Sequence, residues 1–321
     1  MPRDCSRKIV RLDSVSKTPS TLKKETLLSH IVNPMSSIYP LSNALPGDEK
    51  QRLNDNHRVY RHITEGYLLP LPIQTYVKSL PTPVIADIGT GTGIWLQEIS
   101  REMPKLAQLH GYDIDGSKFP VADSIPPNVT FRLHDVLLPF HKELHAKYDV
   151  VHVRLLYLAL KKEDWAVVAG NIRTILKPGG WIHWEELGYP GFTCLPISKS
   201  FYEFMKVEVS HAIHVGRDPL VPTRLMLDLQ NQGFAKCDRR TFNSLSFDDA
   251  RVTKAVGKGM ITMIEGCMGY IVAKGGYMGI CTQDDVVKLV TNLQNDLNNG
   301  SVVGVELWWL WGRRPYEKTG S

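Results

Sequence analysis

Between Val84 and Trp95 three alternate glycines, Gly89, Gly91 and Gly93, with Thr90 and Thr92 between them, separate a short apolar run from residues at helical spacing. Glycine has no Cβ, so a strand–turn–helix built this way lets backbone approach a bound group closely and offers it the amides of a helix start. The dinucleotide fingerprint needs a glycine where Ile94 stands, so the GxGxG spacing argues against a nicotinamide cofactor. Asp87, just before the first glycine, would repel a pyrophosphate and suits a ligand carrying an ammonium group. Asp113 closes the next apolar run, where a carboxylate can accept both hydroxyls of a ribose, with Asp115 as its competitor. After a third run, His134-Asp135-Val136 offers an acceptor for an adenine amino group at Asp135 and a backbone amide at Val136. Each acid alone reads as a cap or turn residue. Placed after successive strands, the three match three parts of one aminoacyl nucleoside.

The elements that must position these residues are short apolar runs alternating with helical stretches. Val84–Ile88, Leu109–Ile114, Val129–Leu133, Tyr148–Val153, Trp181–Leu187 and Val302–Trp311 read as strands, and Ile94–Met103, Trp165–Leu176 and Thr223–Gln232 as helices. Such alternation implies parallel strands joined by crossovers. The segment DGSKFPVADSIPPN holds too many prolines for a full crossover helix. Asp48–Tyr67 and Leu68–Leu80 read as helices before the first strand, and Phe201–Val215, Ala250–Ala273 and Asp284–Asn298 as helices covering the open end of the sheet.

Other side chains could take part. His152, His211 and His214 are candidate bases, and His211 and His214, at i and i+3 of a helix, share one face. Arg154, at a strand exit, could anchor Glu185 or Glu186, which as strand neighbours point to opposite faces and so do not form a paired-carboxylate or metal site. Trp308, Trp309 and Trp311 read as sheet core. Tyr270 and Tyr277, with Met260, Met263, Met268 and Met278, read as an adaptable apolar pocket or plain core.

The chain has 321 residues, 43% hydrophobic and 22% charged, with a net charge of +5, as an ordinary globular protein does. Its basic residues are scattered, apart from a cluster within the first residues, which argues against a nucleic-acid footprint. No apolar stretch is long enough to span a membrane. Residues 1–45, mixed Ser, Thr, Lys and Pro, read as a flexible tail with one short helix near Leu22–Ile31. Cys5, Cys194, Cys237, Cys267 and Cys281 form no CxxC pair, so neither a zinc site nor a disulfide framework is read, and a reducing, cytoplasmic setting follows.

An acidic residue followed by GxGxG, as at Asp87, Gly89, Gly91 and Gly93, resembles the class I S-adenosylmethionine-dependent methyltransferases, and the likeness runs along most of residues 48–188. DIGTGTGIW, NVTFRLHDV with its proline-bearing approach, the HVR of His152–Arg154 and LKPGGWIHWEEL are similar to the fungal secondary-metabolism methyltransferases. That group includes gliotoxin-type N- and S-methyltransferases and a nuclear regulator of metabolite clusters. The resemblance implies a Rossmann-like seven-stranded α/β sheet with helical N-terminal and cap insertions, and S-adenosylmethionine as cofactor. It implies that Asp87 and the loop Gly89, Thr90, Gly91, Thr92 and Gly93 hold the methionine portion. Asp113 with Ile114 would take the ribose, and His134, Asp135 and Val136 the adenine. Val153 and Arg154 would line the methyl-transfer side; apart from the resemblance, which carries no signature for the substrate, Tyr157, His211 and His214 are candidates for contacting it.

The organisation expected is a helical lid at 46–83, a cofactor core at 84–189, a cap insertion at 190–222, core again at 223–242, a helical cap at 243–300 and a final core strand and tail at 301–321. A sulfonium methyl is already electrophilic, so positioning and exclusion of water matter most, and no metal is required. The expected function is methyl transfer to O, N or S of a small secondary metabolite. Two alternatives keep the cofactor: a regulator acting through a protein partner, and a cyclisation or isomerisation without transfer. A homodimer stays open.

Overall fold

The computed structural model describes residues 49–316, so the tail at 1–45 and the helix read near Leu22–Ile31 lie outside the described residues. Two helices, α1 (Glu49–Ile63) and α2 (Leu71–Lys78), precede the sheet. Its strands are β1 (Val84–Ile88), β2 (Gln108–Asp113), β3 (Val129–Leu133), β4 (Tyr148–Arg154), β5 (Leu176–Leu195), β6 (Ala235–Asn243) and β7 (Val302–Arg313). Between and beyond them run α3 (Ile94–Glu102), α4 (Asp164–Ile175), α5 (Lys199–His214), α6 (Val221–Asn231), α7 (Ala250–Ala273) and α8 (Gln283–Asn298).

The seven strands lie in the order β3-β2-β1-β4-β5-β7-β6. β1 to β5 pair in parallel, and β7 runs antiparallel to both β5 and β6. The chain winds outward from β1 to β3, then returns to lay β4 on the other side of β1. The crevice beyond the carboxyl ends of these two strands is where an open sheet of this kind receives a ligand. The segment between β2 and β3 holds only two short 3-10 turns, Gly116–Lys118 and Ala122–Ser124, as its prolines require.

Both faces of the sheet are covered. Ile85 and Val150 face a core built with α1, α2, α3, α5, α7 and α8, whereas Ala86, Ile88, Val151 and Val153 face α4 and α6. β4 is buried at every position but the last, so its Asp149 and His152 lie in the interior along with its apolar residues. Trp309 and Trp311 pack on the first face and Leu310 on the second, which makes this tryptophan cluster sheet core.

Two elements differ from their sequence reading. β6 is an edge strand, paired only with β7, and of its nine residues Phe242 alone is buried. Its Lys236, Asp238, Arg239 and Arg240 suit an exposed edge and hide the strand from a search for apolar runs. β5 continues past Leu187 to Leu195, where Phe192–Leu195 pairs with Val302–Val305 beyond a register break. Cys194, Cys237 and Cys267 are free thiols, but Cys281 is disulfide-bonded, contrary to the fully reduced set the spacing implies. Among the described residues no helix is long and apolar enough to cross a membrane.

The amino-terminal edge of the sheet is tied by one carboxylate. Asp149 is buried and accepts the Val84 amide at 2.8 Å and the Lys177 ammonium at 2.8 and 2.9 Å, joining the starts of β1, β4 and β5. Asp149→Ala strands a backbone donor and an ammonium together and is expected to lower unfolding free energy by about 2–3 kcal/mol. Urea denaturation followed by circular dichroism measures it.

Candidate functional site

A cavity of about 440 Å³ opens at the carboxyl edge of β1, β2 and β4. Of the residues singled out from sequence, Gly89, Thr90, Gly91, Thr92, Asp113, Ile114, His134, Asp135, Val136, Arg154 and Tyr157 line it. Asp87, Gly93, Val153, His211 and His214 do not.

The loop after β1 is held open by its own backbone. Gly89 and Gly91 have φ of 69° and 55°, a left-handed conformation that side chains disfavour. The amides of Gly89 and Thr90 donate to the Tyr112 carbonyl at 2.8 and 3.0 Å, which leaves the rest of the turn to face the cavity. A Cβ at Gly89 would come within 2.9 Å of Leu156 Cδ2, and one at Gly91 within 3.3 Å of Leu53 Cδ1, so bare backbone is required there. Gly93 stands outside the cavity, as the N-cap of α3 packed against the Phe131 ring. Thr92 donates to Asn54 Oδ1 at 2.7 Å, fastening α1 over the loop.

Asp113 accepts the Gly91 amide on Oδ2 at 2.8 Å and the Asp115 amide on Oδ1 at 3.0 Å. A carboxylate offers about four acceptor sites, so Asp113 can still receive two hydroxyls. Burial pushes its pKa up. The competitor Asp115 is occupied: it accepts the Ser117 amide and pairs with Lys118 at 2.7 Å. Asp135 accepts the Leu137 amide on one oxygen at 3.0 Å. His134 stacks on Phe140 with ring centroids 4.0 Å apart.

Asp87 is oriented differently from the ammonium contact its sequence position implies. It sits on the same face as Ile85, beneath the loop, opposite His152 of β4 in the strand register. Oδ1 meets His152 Nδ1 at 2.7 Å and Oδ2 accepts the Thr90 hydroxyl at 2.6 Å. His152 Nε2 in turn meets Glu185 Oε1 at 3.0 Å, and the Trp95 indole stacks on the imidazole at 3.8 Å. Burial disfavours charge on His152, yet its bonds to the two carboxylates hold its pKa above the ordinary value. His152 is therefore an imidazolium bridging two buried acids, out of reach of any acceptor, and not a base in the cavity. His183 brings its ring to the same cluster, and ligand atoms of His152, His183 and Glu185 all lie within 4.8 Å of one another. Val153 faces the opposite core.

The wall beyond β4 is set by Glu186. Leu155 leaves the strand at φ 58°, a costly conformation for a bulky residue, and the Glu186 carboxyl accepts the next amide, Leu156, at 2.7 Å. Burial pushes the Glu186 pKa up to about 8. Glu185 and Glu186 do point to opposite faces, one to His152 and the other to the turn. Arg154 reaches neither by a hydrogen bond. It contacts His57 Nδ1 at 3.0 Å and lies over the Tyr60 ring, docking β4 to α1.

His211 and His214 share a helix face as their spacing demands, but α5 runs past the cavity before reaching them. His211 packs edge-on against Tyr270 and Tyr277, and His214 stacks on Tyr277. Those tyrosines are absent from the cavity wall as well, and Met263 alone of the methionines singled out lines it. The α5 residues that do face the cavity are Phe204, Met205, Glu208 and Val209. Glu208 was hidden by its type, although it falls four residues after Phe204 and seven after Phe201 on the buried stripe. An acid at those intervals is the sequence signal.

Residues 60–215 match the family model described as a methyltransferase domain. A Penicillium sp. protein, methyltransferase grgD, is 42% identical over 164 residues, covering 48% of this chain and 54% of that protein. The N-methyltransferase tcpN of Claviceps purpurea is 28% identical over 172 residues, covering 53% of this chain and 60% of its own length. Among solved structures, Haemonchus contortus phosphoethanolamine N-methyltransferase 2 in complex with S-adenosyl-L-methionine gives a TM-score of 0.45 at 18% identity, over 88% of this chain and 56% of that chain. The chain thus spans little more than half the length of the curated relatives it matches.

His152→Leu removes the cation between Asp87 and Glu185 and is expected to destabilise the fold by about 3–5 kcal/mol, the usual cost of stranding a buried charge; chemical denaturation reads it directly. Glu186 binds its proton more tightly when folded than unfolded. Stability should therefore fall as pH rises from its ordinary value of 4.5 to about 8. Glu186→Gln, which keeps the carbonyl acceptor, should flatten that slope in melting temperatures measured across the interval.

Proposed function

We propose that the chain, whose residues 60–215 match a family model described as a methyltransferase domain, is an S-adenosylmethionine-dependent methyltransferase acting on a small metabolite. What carries this reading is the convergence on one cavity of a bare glycine turn and two carboxylates, each after a successive strand. The donor set fits the cofactor. The turn from Gly89 to Thr92 would receive the methionine portion, Asp113 the ribose hydroxyls, and Asp135 with the Val136 amide the adenine. Asp87 acts from below, fixing the turn through Thr90 instead of touching the ammonium.

When bound, the cofactor supplies an electrophilic methyl on a cationic sulfur. The protein's task is then to hold a nucleophile in line and keep water out. Arg154, Leu155 and Tyr157 at the exit of β4 line the side between the loop and the remaining cavity. Helices α1, α5 and α7 supply Tyr60, Phe204 and Met263 to the far wall, which gives a mainly apolar space suited to a small organic molecule. In this reading α1 and α2 form a lid, and residues 190–222 and 243–300 a cap over a core at 84–189, completed by 223–242 and the final strand β7.

Asp113→Asn should weaken S-adenosylmethionine binding by about 1.5–3 kcal/mol, the worth of charge-assisted hydrogen bonds. Calorimetry with the cofactor measures this, and undiminished affinity in a folded variant would sink the ribose assignment. Incubation with methyl-labelled cofactor and a metabolite extract should place label in the small-molecule fraction.

A further inference from the structure

We propose that Glu208 is the anchor for a cationic nitrogen on the methyl acceptor, being a carboxylate on the cavity wall that no other side chain or amide of the described residues satisfies. This rests on the methyltransferase reading and narrows its substrate class.

Glu208 is 7% exposed and lies between Phe204, Met205 and Val209 on the cavity-facing stripe of α5. Among the described residues it makes no hydrogen bond or ion pair. Burial pushes its pKa up against the field of Arg217, in the turn after α5, and the Cys267 thiol on α7 is raised first by its own burial and then by the field of Glu208. The α7 residues that line the cavity, Val256, Gly259 and Met263, carry no charge.

The other charged groups on the wall are already answered. Glu49 and Arg52 pair bidentately at 2.6 and 2.7 Å. Asp113 is held by two amides, and Glu186 by the Leu156 amide. Arg154 contributes its field to the buried Glu185. That leaves Glu208 as the acid facing the cavity without a partner, in apolar surroundings where an unpaired carboxylate is costly. A ligand bringing a positive nitrogen would remove that cost, and a neutral ligand of the same shape would not. The anchoring nitrogen, protonated in the ion pair, has no lone pair, so the methyl group goes to another atom of the acceptor.

The test uses the full chain saturated with S-adenosylhomocysteine, whose binding is measured first by calorimetry. Tryptamine and its neutral isostere tryptophol are then titrated into wild type and Glu208→Gln. Wild type should prefer tryptamine by roughly tenfold or more, as expected for one charge-assisted contact in a dry site, and the variant should lose the preference. Because Glu208 has no partner to lose, the variant should also melt no lower than wild type, which a structural carboxylate would not allow. Equal binding of the two probes, binding of neither, a preference that survives Glu208→Gln, or a lower melting temperature in the variant would each overturn the assignment. Absence of S-adenosylhomocysteine binding would instead overturn the cofactor reading itself.

Discussion

The site depends on a buried imidazolium. His152 lies between Asp87 and Glu185 with all three side chains almost wholly out of solvent. Two carboxylates in such a place would repel each other and the apolar core around them; one cation between them makes the arrangement tenable. The bridge fixes β1, β4 and β5 laterally at their carboxyl ends, where the strands turn into the cavity. Through Thr90 it also sets the glycine turn. Trp95, the second residue of α3, closes over the imidazole, so the helix that the turn introduces is seated on the same charge. Strand spacing, turn shape and helix entry are thus fixed by one group that never meets a ligand.

Above that bridge the acids of the cavity differ by environment rather than type. Asp113 is held by backbone amides and keeps acceptor sites to spare. Glu186 receives the Leu156 amide and the Trp184 indole N–H in a dry setting, and burial pushes its pKa up to about 8. Glu208 has neither amide nor cation in contact. Identical carboxyl chemistry therefore yields an acceptor with sites to spare, a strut for the strained turn at Leu155, and a buried side chain without a partner.

The glycine-turn end of the cavity was legible because its parts are local. A short apolar strand, three glycines and an acid at the end of each of the first three strands lie in about fifty consecutive residues, and strand order follows from alternation. Even so, chain position does not settle where a side chain points. Asp87 appears aimed at a ligand until the register sets it opposite His152. Edge strand β6 escaped because an exposed edge carries the charges that a search for buried runs rejects. His211 and His214 were misplaced for a different reason: helical phase gives a shared face, but not how far along the helix the cavity extends.

The far end of the cavity is illegible in local terms for a reason built into the topology. Its wall draws Tyr60 from α1, Phe192 from the extension of β5, Glu208 from α5 and Met263 from α7, segments that meet only after the sheet has formed. None needs a motif, since each supplies one side chain to a shape. Helices α5 and α7 can therefore exchange their cavity-facing residues without disturbing the glycine turn or the imidazolium bridge, because the two ends share the turn after β4 and helix α1, whose Asn54 holds the glycine turn and whose Tyr60 lines the far wall. Leu156 belongs to both: its side chain covers Gly89, and its amide rests on Glu186. That turn is where the two ends of the cavity are mechanically joined, and its left-handed Leu155 marks it as the segment whose conformation the surrounding structure must enforce.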